Sequence, residues 1–118
     1  MTARIDREGP IHRSILAYLR YALPGAVIHH SPNEGTRGGR RGIMDGKKRK
    51  AMGVLAGYPD FVIHYRGKTV LLEVKAPGGS VSKAQKAVIS SLRLAGAPCR
   101  VVRGVDEAKD FLALCGLI

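Results

Sequence analysis

Gly57-Tyr58-Pro59-Asp60-Phe61-Val62-Ile63-His64-Tyr65-Arg66-Gly67-Lys68-Thr69-Val70-Leu71-Leu72-Glu73-Val74-Lys75 is the stretch that decides the fold. Phe61 to Tyr65 and Val70 to Val74 are runs of β-branched, aromatic and aliphatic residues, and Arg66 to Thr69 supply a turn between them, so the segment reads as a β-hairpin. With Gly67-Lys68 as a two-residue type II′ loop, Arg66 pairs with Thr69, Val62 with Glu73 and Asp60 with Lys75. Residues two apart on a strand share a face. Glu73 and Lys75 therefore point together, Val74 points into the core, and in this register Asp60 joins the first two. A slip of one residue would send Asp60 to the other face.

Two carboxylates and an amine gathered in this way suit phosphodiester hydrolysis. That reaction needs a cation to neutralise charge on the phosphate and to acidify the attacking water, and a pair of carboxylates is a hard-oxygen site suited to Mg²⁺ or Mn²⁺. Asp60 and Glu73 are the candidate ligands; Lys75 is the candidate group to orient or deprotonate water and to stabilise developing negative charge. The competing reading is a solvated edge hairpin with an Asp–Lys cross-strand pair. Against it, Leu71, Leu72 and Val74 make the second strand apolar on both faces, as in a buried central strand, where Glu and Lys are rare unless paired or functional.

Composition narrows the partner. The chain of 118 residues is read as one domain, 1–118, and it carries 20 Lys plus Arg against 9 Asp plus Glu, a formal charge of +11 and a pI near 10.3. Such a balance implies a polyanion, DNA or RNA. Thr36 to Lys50 holds seven basic residues and one acidic, +6 of that +11. This lies within a basic loop or arm at about residues 32–57, read as gripping DNA through Arg37, Arg40, Arg41, Lys47, Lys48, Arg49 and Lys50, since phosphate contacts supply sequence-independent affinity. Its other reading is a solvated loop. No stretch is apolar enough to span a bilayer, no secretory signal opens the chain, and Cys99 and Cys115 lack metal-ligand spacing, so the expectation is a cytoplasmic protein with reduced cysteines, not bound to membrane.

Apolar residues at Ile11, Ile15, Leu16, Leu19 and Leu23 predict an amphipathic helix over residues 10–23, ended by Pro24-Gly25. Ala26 to His30 is extended, and a short helix is allowed around Ile43 to Met52. After the hairpin, Pro77-Gly78-Gly79 leads to a helix with Ser82 as N-cap and Gly96 as its end. Cys99 to Arg103 is another strand, and a final helix starts at Asp106. The order α-β-loop-β-β-α-β-α predicts an α/β fold with a mixed central sheet flanked by helices.

Gly57-Tyr58-Pro59-Asp60, Leu72-Glu73-Val74-Lys75-Ala76, Gly79-Ser80-Val81-Ser82-Lys83-Ala84-Gln85 and Leu94-Ala95-Gly96 together resemble the VRR-NUC branch of the PD-(D/E)XK nuclease superfamily. His30-Ser31-Pro32-Asn33-Glu34-Gly35 and Lys50-Ala51-Met52-Gly53 resemble segments of its small stand-alone members, which extends the likeness over residues 8–108. The resemblance implies a restriction-endonuclease-like α-β-β-β-α-β core and a Mg²⁺- or Mn²⁺-dependent endonuclease acting on branched DNA. Its viral and bacterial stand-alone members are similar to dimeric Holliday junction resolvases. A homodimer, partly through the first helix, in a bacterial or phage-infected cytoplasm is the corresponding expectation. The alternatives are a nicking, flap or single-strand nuclease, and a catalytically silent nucleic-acid-binding protein.

Residue by residue, the resemblance places the catalytic set at Asp60, Glu73, Lys75 and Gln85 and the metal ligands at Glu8, Asp60, Glu73 and the Val74 backbone carbonyl. Glu8 has a second reading as a charge complementing the helix dipole just outside a helix that starts at Pro10. Gln85 stands at capping-box spacing from Ser82, which would satisfy it without function; both roles can coexist. Lys83 is a candidate phosphate contact. His12 stands where the family often has Gln and is assigned no role. His29 and His30 are adjacent, not at zinc-ligand spacing, and read as strand histidines; His30, Asn33 and Glu34 border either the cleft or an Asn-based turn.

Overall fold

The hairpin turns one residue earlier than the Gly67-Lys68 reading. The computed structural model describes residues 5–31 and 46–118. Its elements are α1 (Gly9–Ala22), β1 (Val27–His30), β2 (Phe61–Tyr65), β3 (Lys68–Val74), α2 (Lys83–Leu94), β4 (Cys99–Val102) and α3 (Val105–Leu114). Tyr65 pairs with Lys68 and Phe61 with Leu72, so the loop is Arg66-Gly67. Both loop residues have positive φ, 48° and 77°, as a type I′ turn requires, and that turn matches the right-handed twist of the strands better than the reading based on glycine position alone. The Arg66 guanidinium lies 4.9 Å from the Tyr65 ring centroid. Phe61 thus meets Leu72 rather than Val74. A two-residue shift preserves faces: continued by one pair, the register sets Asp60 opposite Glu73 instead of Lys75, still on the same side.

β3 is an interior strand, paired on both sides, as its two-sided apolar pattern predicts. The sheet order is β1-β2-β3-β4, antiparallel up to β3 and parallel between β3 and β4, with α2 as the crossover that a parallel pair needs. On one face, Phe61, Ile63, Val70, Leu72 and Val74 pack with Ile15 and Leu19 of α1 and with Phe111 and Leu112 of α3. On the other, Leu71 and Cys99 pack with Ile89 of α2. Each fully buried Leu or Ile contributes about 1.5–3 kcal/mol. The apolar stripe of α1 packs into this core, Ile15 and Leu19 being completely buried and Ile11 and Leu16 partly so, while Tyr21 stays outward on that helix.

Residues 46–51 are helical and their side chains exposed, Lys47, Lys48, Arg49 and Lys50 among them. Arg37, Arg40, Arg41, Asn33 and Glu34 lie outside the described residues. Cys99 and Cys115 are free thiols; burial pushes Cys99 up to about 11, so it is protonated and inert at neutral pH. Among the described residues, no helix is long and apolar enough to cross a membrane.

Candidate active site

Asp60 is fixed by the point at which β2 begins. The amides of Leu71 on β3 and of Lys75 just after it donate to the carbonyls of Pro98 and Val102 on the β4 side. The Val74 amide points the other way, and it donates to Asp60 Oδ2 at 2.7 Å. The Asp60 carbonyl in turn accepts from the Ser31 amide at 2.7 Å. Side chain and backbone of Asp60 are thus both tied to the sheet, with the carboxylate buried at the end of β2.

Glu73 is deeper. Its residue exposure is 1%, Oε1 accepts from Gln85 Nε2 at 2.9 Å, and Oε2 is buried with no hydrogen-bond partner among the described residues. Burial, and then the negative charge of Asp60, push its carboxyl up to about 8 from an ordinary 4.5, with Lys75 acting in the opposite sense. A carboxyl held so far from its usual range by desolvation and a like charge, at a cleft, is a mark of functional sites.

Lys75 Nζ lies 3.9 Å from Glu73 Oε1 and 4.0 Å from Glu8 Oε1. Glu8 is the N-cap of α1 but its side chain makes no capping hydrogen bond. The Gly9 amide donates instead to Asp6 Oδ1 at 2.8 Å. Glu8 is therefore no side-chain cap: its carboxylate lines the cleft beside Lys75, while its charge still sits at the N-terminus of α1. Gln85 caps α2 and also reaches Glu73. The Ser82 amide donates to Gln85 Oε1 at 2.8 Å and the Gln85 amide to Ser82 Oγ at 3.1 Å, a complete capping box, while Nε2 reaches Glu73.

An open cleft of about 600 Å³ gathers Glu8, Asp60, Glu73, Lys75 and Gln85, with His12, Arg13 and His30 also on its wall. Gly57 explains how the two halves come so close. Its φ is +83°, and a Cβ there would lie 2.7 Å from both Ala84 C and Gln85 N. Only glycine lets the loop before Asp60 rest on the backbone that starts α2.

A VRR-NUC domain model matches residues 18–106. The chain belongs to the VRR-NUC domain family. This is a nuclease-type domain of the PD-(D/E)XK kind, and it implies DNA binding. A solved structure of a VRR-NUC domain protein shares the fold with a TM-score of 0.69 at 22% identity, over 95% of this chain and 89% of that one. Another VRR-NUC domain structure has a TM-score of 0.63 at 17% identity, over 92% of this chain and 97% of its own. A comparison with curated proteins found no match. The family match holds Asp60, Glu73, Lys75 and Gln85, whereas Glu8 and His12 precede it and rest on geometry.

Of the other residues expected at this VRR-NUC site, Lys83 is exposed at the first turn of α2 and Val74 is buried beside Glu73. The structure adds His12, to which the sequence assigns no role, and brings His30 to it. His12 Nε2 lies 3.8 Å from Asp60 Oδ2, and the His12 and His30 rings are 5.2 Å apart. His30 finds its partner on α1, not in the adjacent His29, so chain adjacency carries no signal; the spacing of His12 one turn after Glu8 on the cleft side of α1 is the available one.

The donor set fits a hard dication. Two carboxylates share one cleft, one of them buried with an unpartnered oxygen and pushed toward its neutral form, and a cation between them would supply the missing partner and restore ionisation.

Proposed function

We propose that this VRR-NUC protein is a metal-dependent, structure-selective endodeoxyribonuclease that hydrolyses phosphodiester bonds in branched DNA, with Holliday junction resolution by a homodimer as its function. The observation that carries the catalytic part is Glu73, sealed from water beside Asp60 with Lys75 at 3.9 Å. A purely phosphate-binding protein has no use for two carboxylates that repel the backbone of DNA.

Asp60, Glu73 and the Val74 carbonyl, with Glu8 at the rim, would hold Mg²⁺ or Mn²⁺. Bound there, the ion supplies charge neutralisation at the phosphate and lowers the pKa of water. The chain's own groups do the positioning. The Val74 amide fixes the Asp60 carboxylate, and Gln85 Nε2 fixes Glu73 Oε1, so each oxygen is aimed before substrate arrives. Lys75 Nζ holds the attacking water or the non-bridging phosphate oxygen and stabilises charge as it develops. Lys83 and the basic residues from Arg37 to Lys50 grip flanking phosphates. One cleft per chain cuts one strand; a two-fold dimer brings a second cleft to the opposing strand.

Labelled four-way junction, flap, duplex and single-stranded DNA, each incubated with Mg²⁺, Mn²⁺ or EDTA, test the reading. Junction cleavage is expected with either metal and none in EDTA. Asp60→Asn, Glu73→Gln and Lys75→Ala are each expected to abolish cleavage while DNA binding persists. Robust cleavage in EDTA or by any of the three variants overturns the catalytic assignment; metal-dependent cuts indifferent to branching replace the resolvase by a nicking enzyme.

A further inference from the structure

His12, His30 and Asp60 form, among the described residues, a group of three side chains whose ligand atoms lie within 4.8 Å of one another. They come from α1, β1 and the start of β2, and nothing in the chemistry above uses the two imidazoles. His12 Nε2 stands 3.8 Å from Asp60 Oδ2. Among the described residues, His12 Nδ1 is buried without a hydrogen-bond partner, an uncommon state for an imidazole nitrogen. His30 is exposed and at the cleft wall.

We propose that His12, His30 and Asp60 form a second, nitrogen-rich cation site that takes a divalent transition-metal ion, with Asp60 shared between it and the carboxylate site. Donor atoms on a single such ion lie roughly 3–4 Å apart when the metal–ligand bonds are near 2.1 Å. The His12–Asp60 separation is already in that interval, and the exposed His30 ring closes the remainder by side-chain rotation. Two imidazoles and one carboxylate favour Mn²⁺, Co²⁺ or Zn²⁺ over Mg²⁺, which prefers oxygen and gives up its water reluctantly. Phe61 lies 5.6 Å from His12 and 5.2 Å from His30, ring centre to ring centre. The alternative is that the three rings simply pack as an aromatic cluster.

The site is a matter of binding and stands or falls separately from the nuclease reading. Metal-free full-length protein is titrated with Co²⁺, following calorimetry and the visible absorption that distinguishes imidazole from all-oxygen ligation. The expected result is a nitrogen-ligated Co²⁺ that excess Mg²⁺ does not displace. His30→Ala and His12→Gln are each expected to lower Co²⁺ affinity by at least about tenfold and to move the spectrum toward the aquo ion, whereas Glu73→Gln keeps the imidazole signature. His30 is exposed, so His30→Ala decides the matter even if His12→Gln fails to fold. Unchanged Co²⁺ affinity and spectrum in His30→Ala, or loss of the imidazole-ligated Co²⁺ signature in excess Mg²⁺, overturns the proposal and leaves the aromatic cluster. Loss of Mg²⁺-dependent cleavage in the Asp60, Glu73 and Lys75 variants is read independently of either outcome.

Discussion

Replacing Glu73 by Gln should make the metal-free protein more stable, not less, at neutral and alkaline pH. The folded carboxyl titrates near 8 and the unfolded one near 4.5. Between those values the folded state holds the extra proton, so stability falls as pH rises, from its full value below about 4.5 until the folded group has ionised. At pH 7 the gap from 4.5 is two to three pH units, worth on the order of 3 kcal/mol at 1.36 kcal/mol per unit. The Glu73→Gln variant would avoid that loss. Its side-chain oxygen keeps the hydrogen bond from Gln85, and its amide replaces the buried, unpartnered Oε2 with a donor facing the cleft that Asp60 also lines. The cost is the attraction to Lys75 at 3.9 Å, the smaller effect.

Thermal unfolding in EDTA from pH 5 to pH 9, wild type against Glu73→Gln, measures this difference while titrations common to both proteins cancel. The two should be nearly equal at pH 5 and diverge upward, with the variant ahead by roughly 10 °C at pH 7 and further ahead at pH 8, since about 1 kcal/mol corresponds to some 4 °C in a domain of this size. Saturating Mg²⁺ should reverse the order, because a cation that binds only the folded carboxylates stabilises the wild type and releases a proton as it does so. A pH-independent difference, or a variant less stable than wild type at pH 8 without metal, would refute the assignment of strain to Glu73.

Gly57→Ala should cost about 2 kcal/mol or more in denaturant unfolding, because both the φ and the backbone of α2 oppose a Cβ there. Gly25→Ala, at the same φ of +83° but with open space around it, should cost only about 1–2 kcal/mol, and equal losses would deny the close approach at Gly57 its role. Alanine at Arg40, Arg41, Lys47 and Lys48 together should weaken DNA binding and lower its salt slope by up to about 0.9 for each phosphate no longer neutralised; an unchanged slope measured by fluorescence anisotropy returns the run to a solvated loop. Light scattering should give twice the chain mass, with paired nicks on a four-way junction, and a strictly monomeric protein that nicks without regard to branching would remove the resolvase reading.

The hairpin, the interior position of β3 and the gathering of Asp60, Glu73 and Lys75 are legible in the sequence because each rests on local periodicity and on a turn only a few residues long. The turn itself lies one residue earlier than the expected one. Glycine position favours one loop, while the twist shared by both strands favours Arg66-Gly67, and a residue in the left-handed region leaves no compositional trace when it is an arginine. The difference spares the site because it is even: a shift of two residues exchanges partners without exchanging faces. Gln85 is legible as a cap from its spacing to Ser82, but its reach to Glu73 depends on how closely α2 sits against the strand. That distance is set by Gly57, whose meaning emerges only when the backbone beneath it is known.

The histidines show the other limit. His12 and His30 are separated by a helix, a turn and a strand, and neither has a ligand-spaced neighbour along the chain. They meet because the apolar stripe of α1 is drawn onto the sheet by Ile15 and Leu19, which turns the preceding turn of the helix, with Glu8 and His12, over the end of β2. The same packing that buries the stripe brings Lys75 within 4.0 Å of Glu8. Core burial on one face of α1 and cleft chemistry at its first turn are thus consequences of one docking angle. A substitution that loosens Leu19 should therefore disturb Glu8 and His12 before it touches Asp60, whose carboxylate is anchored independently by the Val74 amide.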